Sequence, residues 1–257
     1  MSILNSNEKE GSKTQNIHRV PTGLSGLDEI LHGGIPQSSI SLVSGTPGSG
    51  KSIMCYHYID AGLKNGEKCL FLTSDERVEN ILKQTNELGF NFEPYVDSGQ
   101  LKFMYLDLDK SNVHKEMEEE IRSGQYCRVV IDSLTPLSEA PMWITKDGNE
   151  IIPFQDHSKT TPYPLGSIPA TRLHVRRIMS ILSNEMCTAM VTSEIPEGSR
   201  CLSRDSVSEF LVDGIFVLDL DVTMDRRKLT VRKMRGTKHT LKPQNIQITE
   251  KGLIFGQ

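Results

Sequence analysis

A chain of 257 residues is long for one small domain and short for two, so one core with insertions is expected. Apolar residues at 37% and charged residues at 24% suit a globular protein, and a formal charge of −4 leaves any binding of nucleic acid or anionic membrane to a local basic patch. No stretch approaches the run of about 18 apolar residues that a membrane span needs.

Residues 1–16 are polar, without an apolar stretch, and read as a disordered leader rather than a secretory signal. From residue 17 to 257 strands and helices alternate as in a single domain. A short apolar run at 40–44 ends in a glycine-rich turn, and a helix-like stretch at 52–64 stops at Asn65-Gly66. A second buried run spans 69–73, and Val78, Ile81, Leu82 and Leu88 follow at helical spacing. Residues 101–106 read as a strand, and Ser111-Asn112 caps a helix carrying Val113, Met117 and Ile121 on one face. Val129, Val130 and Ile131 form a buried strand ending in Asp132; 173–182 is helical and 189–192 a further strand. The tail differs: 215–220, 229–235 and 246–255 look like antiparallel hairpins added at one edge. The five cysteines, Cys55, Cys69, Cys127, Cys187 and Cys201, are scattered without a C-x-x-C pair and read as small buried hydrophobes in a reducing cytoplasm.

The first strand-to-helix turn carries the chemistry. Gly45-Thr46-Pro47-Gly48-Ser49-Gly50-Lys51-Ser52 satisfies G-x-x-x-x-G-K-[ST] in full. Glycines let backbone N–H groups curl around phosphates, and the helix that follows aims its positive end at the same anion. Lys51 is placed for the β- and γ-phosphates and the Ser52 hydroxyl for Mg²⁺. ATP and Mg²⁺ are therefore the expected cofactors, held by Thr46, Pro47, Gly48, Ser49, Gly50, Lys51, Ser52 and Ile53. Asp132, at the carboxyl end of its strand, is the expected second metal holder, through water. Hydrolysis also needs a group that orients or deprotonates water. Asp75 and Glu76 follow the second strand and are candidates for it; Asp75 as a helix cap with Glu76 in the first turn is the compatible alternative.

The run Val20-Pro21-Thr22-Gly23-Leu24-Ser25-Gly26-Leu27-Asp28, continuing to Gly33-Gly34-Ile35-Pro36, resembles the opening segment of KaiC-like ATPases of the RecA superfamily, and the chain is also similar to archaeal RadA paralogues. The V-V-I-D-S run at Val129 to Ser133, Thr192-Ser193-Glu194, and the K-x-R-G-T-x-H run from Lys233 to His239 occur in the family's order. The resemblance implies an α/β, RecA-like P-loop NTPase fold: a mostly parallel central sheet, helices on both faces and antiparallel C-terminal hairpins. It implies that Lys233 and Arg235 reach across a subunit boundary to a neighbour's nucleotide in a homo-oligomer such as a hexamer, with Met234, Thr237 and His239 lining that site. The alternative for these cations is a solvated basic edge hairpin, since Arg226, Arg227, Lys228 and Arg232 lie close by. Asp75 stands where the family usually has glutamate; one methylene shorter, it slows hydrolysis or passes the role to Glu76.

The stretch 138–169 reads as an insertion with a hairpin at Asp147-Gly148 and an irregular tract from Pro162 to Pro169. Trp143, Lys146, Lys159, Arg200 and Arg204 have the chemistry to stack on and track single-stranded DNA, or else belong to loops that pack on themselves. Two roles follow. One is a recombinase-paralogue accessory in DNA repair and recombination, acting on single-stranded DNA or on a recombinase. The other is an ATP-gated signalling or assembly regulator with slow turnover that acts on a protein partner.

Overall fold

The computed structural model describes residues 17–108, 113–139, 142–144, 151–153, 168–169 and 171–256. The 1–16 leader, the Ser111-Asn112 cap, the Asp147-Gly148 turn, Lys146 and Lys159 lie outside them.

In chain order the elements are β1 (Arg19–Val20), α1 (Ser25–Ile30), β2 (Ile35–Pro36), β3 (Ile40–Gly45), α2 (Lys51–Lys64), β4 (Cys69–Thr73), α3 (Val78–Glu87), α4 (Glu93–Asp97) and β5 (Leu101–Tyr105). Then come α5 (Val113–Gly124), β6 (Arg128–Asp132), α6 (Leu134–Glu139), β7 (Met142–Ile144), β8 (Ile151–Pro153), β9 (Ile168–Pro169) and α7 (Thr171–Asn184). The chain closes with β10 (Thr188–Glu194), α8 (Ser208–Leu211), β11 (Gly214–Asp221), β12 (Arg226–Met234), β13 (Gln244–Thr249) and β14 (Gly252–Phe255).

A nine-stranded sheet in the order β14-β13-β12-β11-β3-β10-β6-β4-β5 organises the molecule. The pairs from β11 across to β5 are parallel, and β12, β13 and β14 each run antiparallel to the strand before. The fold is thus α/β and mostly parallel, as expected. One strand differs from the reading of the tail: β11 is a full parallel neighbour of β3, and the antiparallel addition starts only at β12. Strand residues carry no mark of direction; the crossover from β10 through α8 sets it. The inner strands β3 and β4 are buried at every residue, whereas edge strand β5 is buried only at Leu101, as expected for strands covered on both faces and on one. Two apolar layers flank the sheet. Tyr56, Ile59, Phe71, Phe90 and Phe92 sit on one face, and Met117, Ile121, Val175 and Leu182 on the other. Cys55, Cys69 and Cys187 are buried, but Cys127 and Cys201 are exposed, so two of the five are not core residues.

One buried cation ties the layers together. Arg128, at the start of β6, is 0% exposed. Its Nε donates to Glu67 Oε2 at 2.5 Å, and its Nη1 donates to Pro21 O and Tyr58 O, each at 2.7 Å. The guanidinium lies 4.7 Å from the Tyr58 ring centroid. A Cβ on Gly62 would fall 2.4 Å from Arg128 Nε, so the helix carries glycine where the arginine passes. Truncation would strand a carboxylate and two carbonyls, so Arg128→Ala is expected to lower stability by about 3–5 kcal/mol in urea unfolding. A loss below about 1 kcal/mol would show that solvent replaces those bonds.

Candidate nucleotide site

β3 delivers the loop and α2 receives it. Gly48 and Gly50 adopt φ of 78° and 104°, the left-handed region that side chains resist, so the turn needs these glycines. Gly50 is the N-cap of α2 and Lys51 its first residue, which points the helix's positive end into the loop. Lys51 is 9% exposed and donates from Nζ to Gly45 O and Thr46 O, each at 3.1 Å. Burial pulls its ammonium below the ordinary lysine range, while the charges of Glu194, Asp132 and Asp75 push back. Pro47 and Gly48 are exposed, Ser49 is buried, and Thr46, Ser52 and Ile53 are half-buried.

The two residues expected to hold the metal are brought together. Ser52 hydrogen-bonds the Asp132 carboxylate, and the Thr192 hydroxyl donates to Asp132 Oδ1 at 2.5 Å. Burial raises the Asp132 carboxyl above its usual range, and those two hydrogen bonds oppose the rise. No cluster of three or more His, Cys, Asp or Glu able to hold a metal occurs among the described residues. A serine hydroxyl, one carboxylate and a phosphate cradle suit Mg²⁺, which takes most of its ligands from water and phosphate.

The two candidate carboxylates separate. Asp75 is exposed and its charge is felt by both Lys51 and Asp132. Glu76 turns away and accepts from Gln84 Nε2 on α3 at 2.6 Å. The capping alternative is not what forms: α3 starts after Arg77, with no side-chain cap.

Lys233 and Arg235 sit elsewhere. Lys233 Nζ donates to Val212 O at 2.6 Å and Glu209 O at 3.3 Å, and Arg235 pairs with Asp213 at 3.0 Å while 58% exposed. Thr237 accepts from Arg19, and His239 Nδ1 is 3.1 Å from Thr240 O. Met234 is 4% exposed and packs in its own core, so its side chain cannot line a neighbour's site. The alternation along a strand that turns Lys233 outward turns Met234 inward.

Four residues near the loop had no role assigned from sequence. Glu194 ends β10 opposite Gly45, and the strand-tip logic that selected Asp132 applies equally to it. Thr192, which holds Asp132, is two residues earlier on that strand. Arg227 reaches the loop, donating from Nε to Gly48 O at 3.3 Å. His57 on α2 accepts the Leu253 N–H at 2.8 Å, seating the β13–β14 hairpin on the helix that follows the loop. No sequence pattern marks that contact.

A glycine cradle at the end of a central parallel strand, followed by its helix and faced by a strand-end aspartate, defines a RecA-type nucleotide-binding protein. The family model described as "ATPase: KaiC" matches residues 20–147 and 165–257. A UPF0273 protein of Thermotoga maritima is 32% identical over 260 residues, spanning 93% of this chain and 96% of its own length. A UPF0273 protein of Methanocaldococcus jannaschii is 34% identical over 242 residues, spanning 92% and 95%. The crystal structure of a KaiC-like protein from Pyrococcus horikoshii superposes with a TM-score of 0.75 at 25% identity, covering 94% of this chain and all of that one. This chain belongs to the KaiC ATPase family. No helix among the described residues is long and apolar enough to cross a membrane.

The His57 contact makes stability pH-dependent. Burial depresses its pKa from 6.5 to about 4, with Asp60 raising and Lys64 lowering it further. The unfolded chain therefore binds the proton first as pH falls, and stability present above pH 6.5 is lost between 6.5 and about 4. The loss is at most about 3 kcal/mol. His57→Gln keeps an acceptor for Leu253 and does not titrate, so its urea midpoint should fall less across that window. Parallel profiles for the two proteins would contradict this origin.

Proposed function

We propose that this chain binds ATP with Mg²⁺ in its P-loop and hydrolyses it at the junction between two copies, with Lys233 and Arg235 of one copy acting on the nucleotide of the next. The observation that carries this is a matter of register. Gly45, where the loop begins, pairs with Leu218, which pairs with Leu229; Met234 pairs with Gly214, which pairs with Ser41. Met234 is thus four residues short of the loop end, about 13 Å at strand spacing, on a strand running away from it. A chain cannot bring these cations to its own phosphates without unzipping β12, whereas a second copy can present them.

Each residue then has a task. Lys51 moves from the Gly45 and Thr46 carbonyls to the phosphate oxygens, and Ser52 and Asp132 hold the metal. When bound, Mg²⁺ neutralises charge on the β- and γ-phosphate oxygens. Asp75, which shares the field of Lys51 and Asp132, orients the attacking water, while Glu76 braces α3 through Gln84. Arg235 supplies positive charge where the transferring phosphoryl group gains negative charge.

The role that best fits is a cytoplasmic recombinase-paralogue accessory in DNA repair. The loop after β10 supports it. Ile195 N–H donates to Gly45 O at 3.1 Å, the Ser44 hydroxyl donates to Leu202 O, and Arg204 N–H donates to Ser193 Oγ at 3.0 Å. A loop clamped at both ends to the loop-bearing strand and its neighbour carries the nucleotide state to Arg200 and Arg204 on its surface. Single-stranded DNA affinity should rise with ATP and fall steeply with salt. ATP-independent affinity, or none, would favour the regulator of a protein partner instead.

Hydrolysis assays test the site. Asp75→Asn should lose most turnover with ATP still bound, and Glu76→Gln should lose little; the reverse order would exchange their roles. Arg235→Ala should bind ATP normally and turn over about 10³-fold more slowly. Lys51→Ala subunits keep their cations and Arg235→Ala subunits keep their P-loop, so mixed oligomers should regain part of the activity. Mixing with proven subunit exchange and no regained turnover would refute action in trans.

A further inference from the structure

Lys233 and Arg235 are both held by one short stretch of chain. Lys233 Nζ donates to the carbonyls of Glu209 and Val212, and Arg235 reaches Asp213, the residue after Val212. Asp213 commits its N–H, its carbonyl and both carboxylate oxygens to Ile40 and Arg235. Toward Ile40, its N–H donates to the carbonyl at 2.8 Å and its Oδ2 accepts the backbone N–H at 3.0 Å. Toward Arg235, its carbonyl accepts the backbone N–H at 2.9 Å and its Oδ1 accepts from Nη1 at 3.0 Å. Ile40 opens β3, and Gly45 closes it where the glycine loop begins. The carboxylate that holds Arg235 is therefore fixed to the strand that carries the chain's own P-loop.

Stability does not account for this arrangement. Ile40 needs one oxygen, which an asparagine would supply as well. The side chains of Arg235 and Asp213 are 58% and 30% exposed, and an ion pair that open to water adds little to the fold. What the charge does is fix direction. With its backbone N–H and its Nη1 both on Asp213, Arg235 loses much of the freedom of a long exposed side chain. The same carboxylate acts on Lys233: burial and then the charge of Arg235 pull that ammonium below the lysine range, and Asp213 pushes back. The nearby Glu209 carboxylate is taken by the Leu202 N–H and the Ser203 hydroxyl. One negative charge thus serves two cations that would otherwise repel each other.

We propose that Asp213 positions Lys233 and Arg235 for hydrolysis, holding both in register with the strand that carries the P-loop. This rests on the reading that those cations act on the nucleotide of another copy, and names what holds them in place for it. Asp213 is a positioning residue: it acts through the cations and touches neither nucleotide nor metal.

The test uses the full chain with ATP and Mg²⁺. Asp213→Asn keeps an acceptor for the Ile40 N–H and removes the charge. It should bind ATP as the parent does, hold the parent's urea midpoint and turn over about 10-fold more slowly at saturating ATP. Combined with Arg235→Ala, it should lose less than the product of the two single losses. A second readout needs no hydrolysis. In the nucleotide-free chain, acylation of the Lys233 amine is followed by mass spectrometry as pH rises. Its midpoint should fall to lower pH in Asp213→Asn, since the charge that favours the ammonium is gone. A role confined to the Ile40 contact would leave that profile unmoved. Parent-rate or faster turnover of Asp213→Asn, with Arg235→Ala impaired, overturns the positioning role and leaves the trans reading intact. A double variant that loses the full product does the same. Full turnover of Arg235→Ala removes the trans reading instead. The acylation profile then decides Asp213 alone: a shift upholds its hold on the cations, and an unmoved profile overturns it.

Discussion

Parallel pairing of β11, β3, β10, β6, β4 and β5 is the constraint on which everything else rests. Because these strands point the same way, their carboxyl ends meet at one edge of the sheet. Gly45, Thr73, Asp132 and Glu194 end their strands there; Lys51 starts the helix that follows the first of them, and Asp75 lies on the loop that follows the second. The glycine loop and the strand-end carboxylates converge without being close in sequence. The reversal at β12 is as consequential. It carries the run from Lys233 to His239 back toward the opposite edge of the sheet, away from the glycine loop.

The site is held by polar contacts that favour order over raw stability. Lys51 rests on two carbonyls within the field of three carboxylates, and burial makes its own charge and that of Asp132 costly without partners. Arg128 works similarly in the core, spending its donors on Glu67, Pro21 and Tyr58, and so locks the opening segment, α2 and the start of β6 to one another. The opening run has its own clamp: Asp28 Oδ1 accepts from both the Thr22 N–H at 2.8 Å and the Thr22 hydroxyl at 2.7 Å. At the other end of the chain the β13–β14 hairpin sits on α2 through His57. The P-loop helix is therefore braced by the opening segment and by the β13–β14 hairpin, which gives the cradle a fixed platform.

The sequence by itself determined whatever depends on neighbouring residues. The cradle from Gly45 to Ser52 is legible because backbone curvature, charge and helix start must follow one another directly. The buried runs of β3, β4, β6 and β10 are legible because strands covered on both faces need unbroken apolar residues, and Asp132 because it closes such a run. Tertiary structure decided what depends on residues far apart. The direction of β11 comes from a crossover, not from its residues. The joining of Arg128 to Glu67, the seating of Leu253 on His57 and the holding of Asp132 by Thr192 span 61, 196 and 60 positions, beyond any local pattern. The different surroundings of Asp75 and Glu76 follow from how β4 leaves the sheet, and the burial of Met234 inside a run of otherwise outward residues from the pleat of β12. The physical reason is common to all of these. Local propensity and periodicity fix what a segment is, but the partner that satisfies a buried charge or an unpaired N–H is chosen only when the whole chain has closed around it.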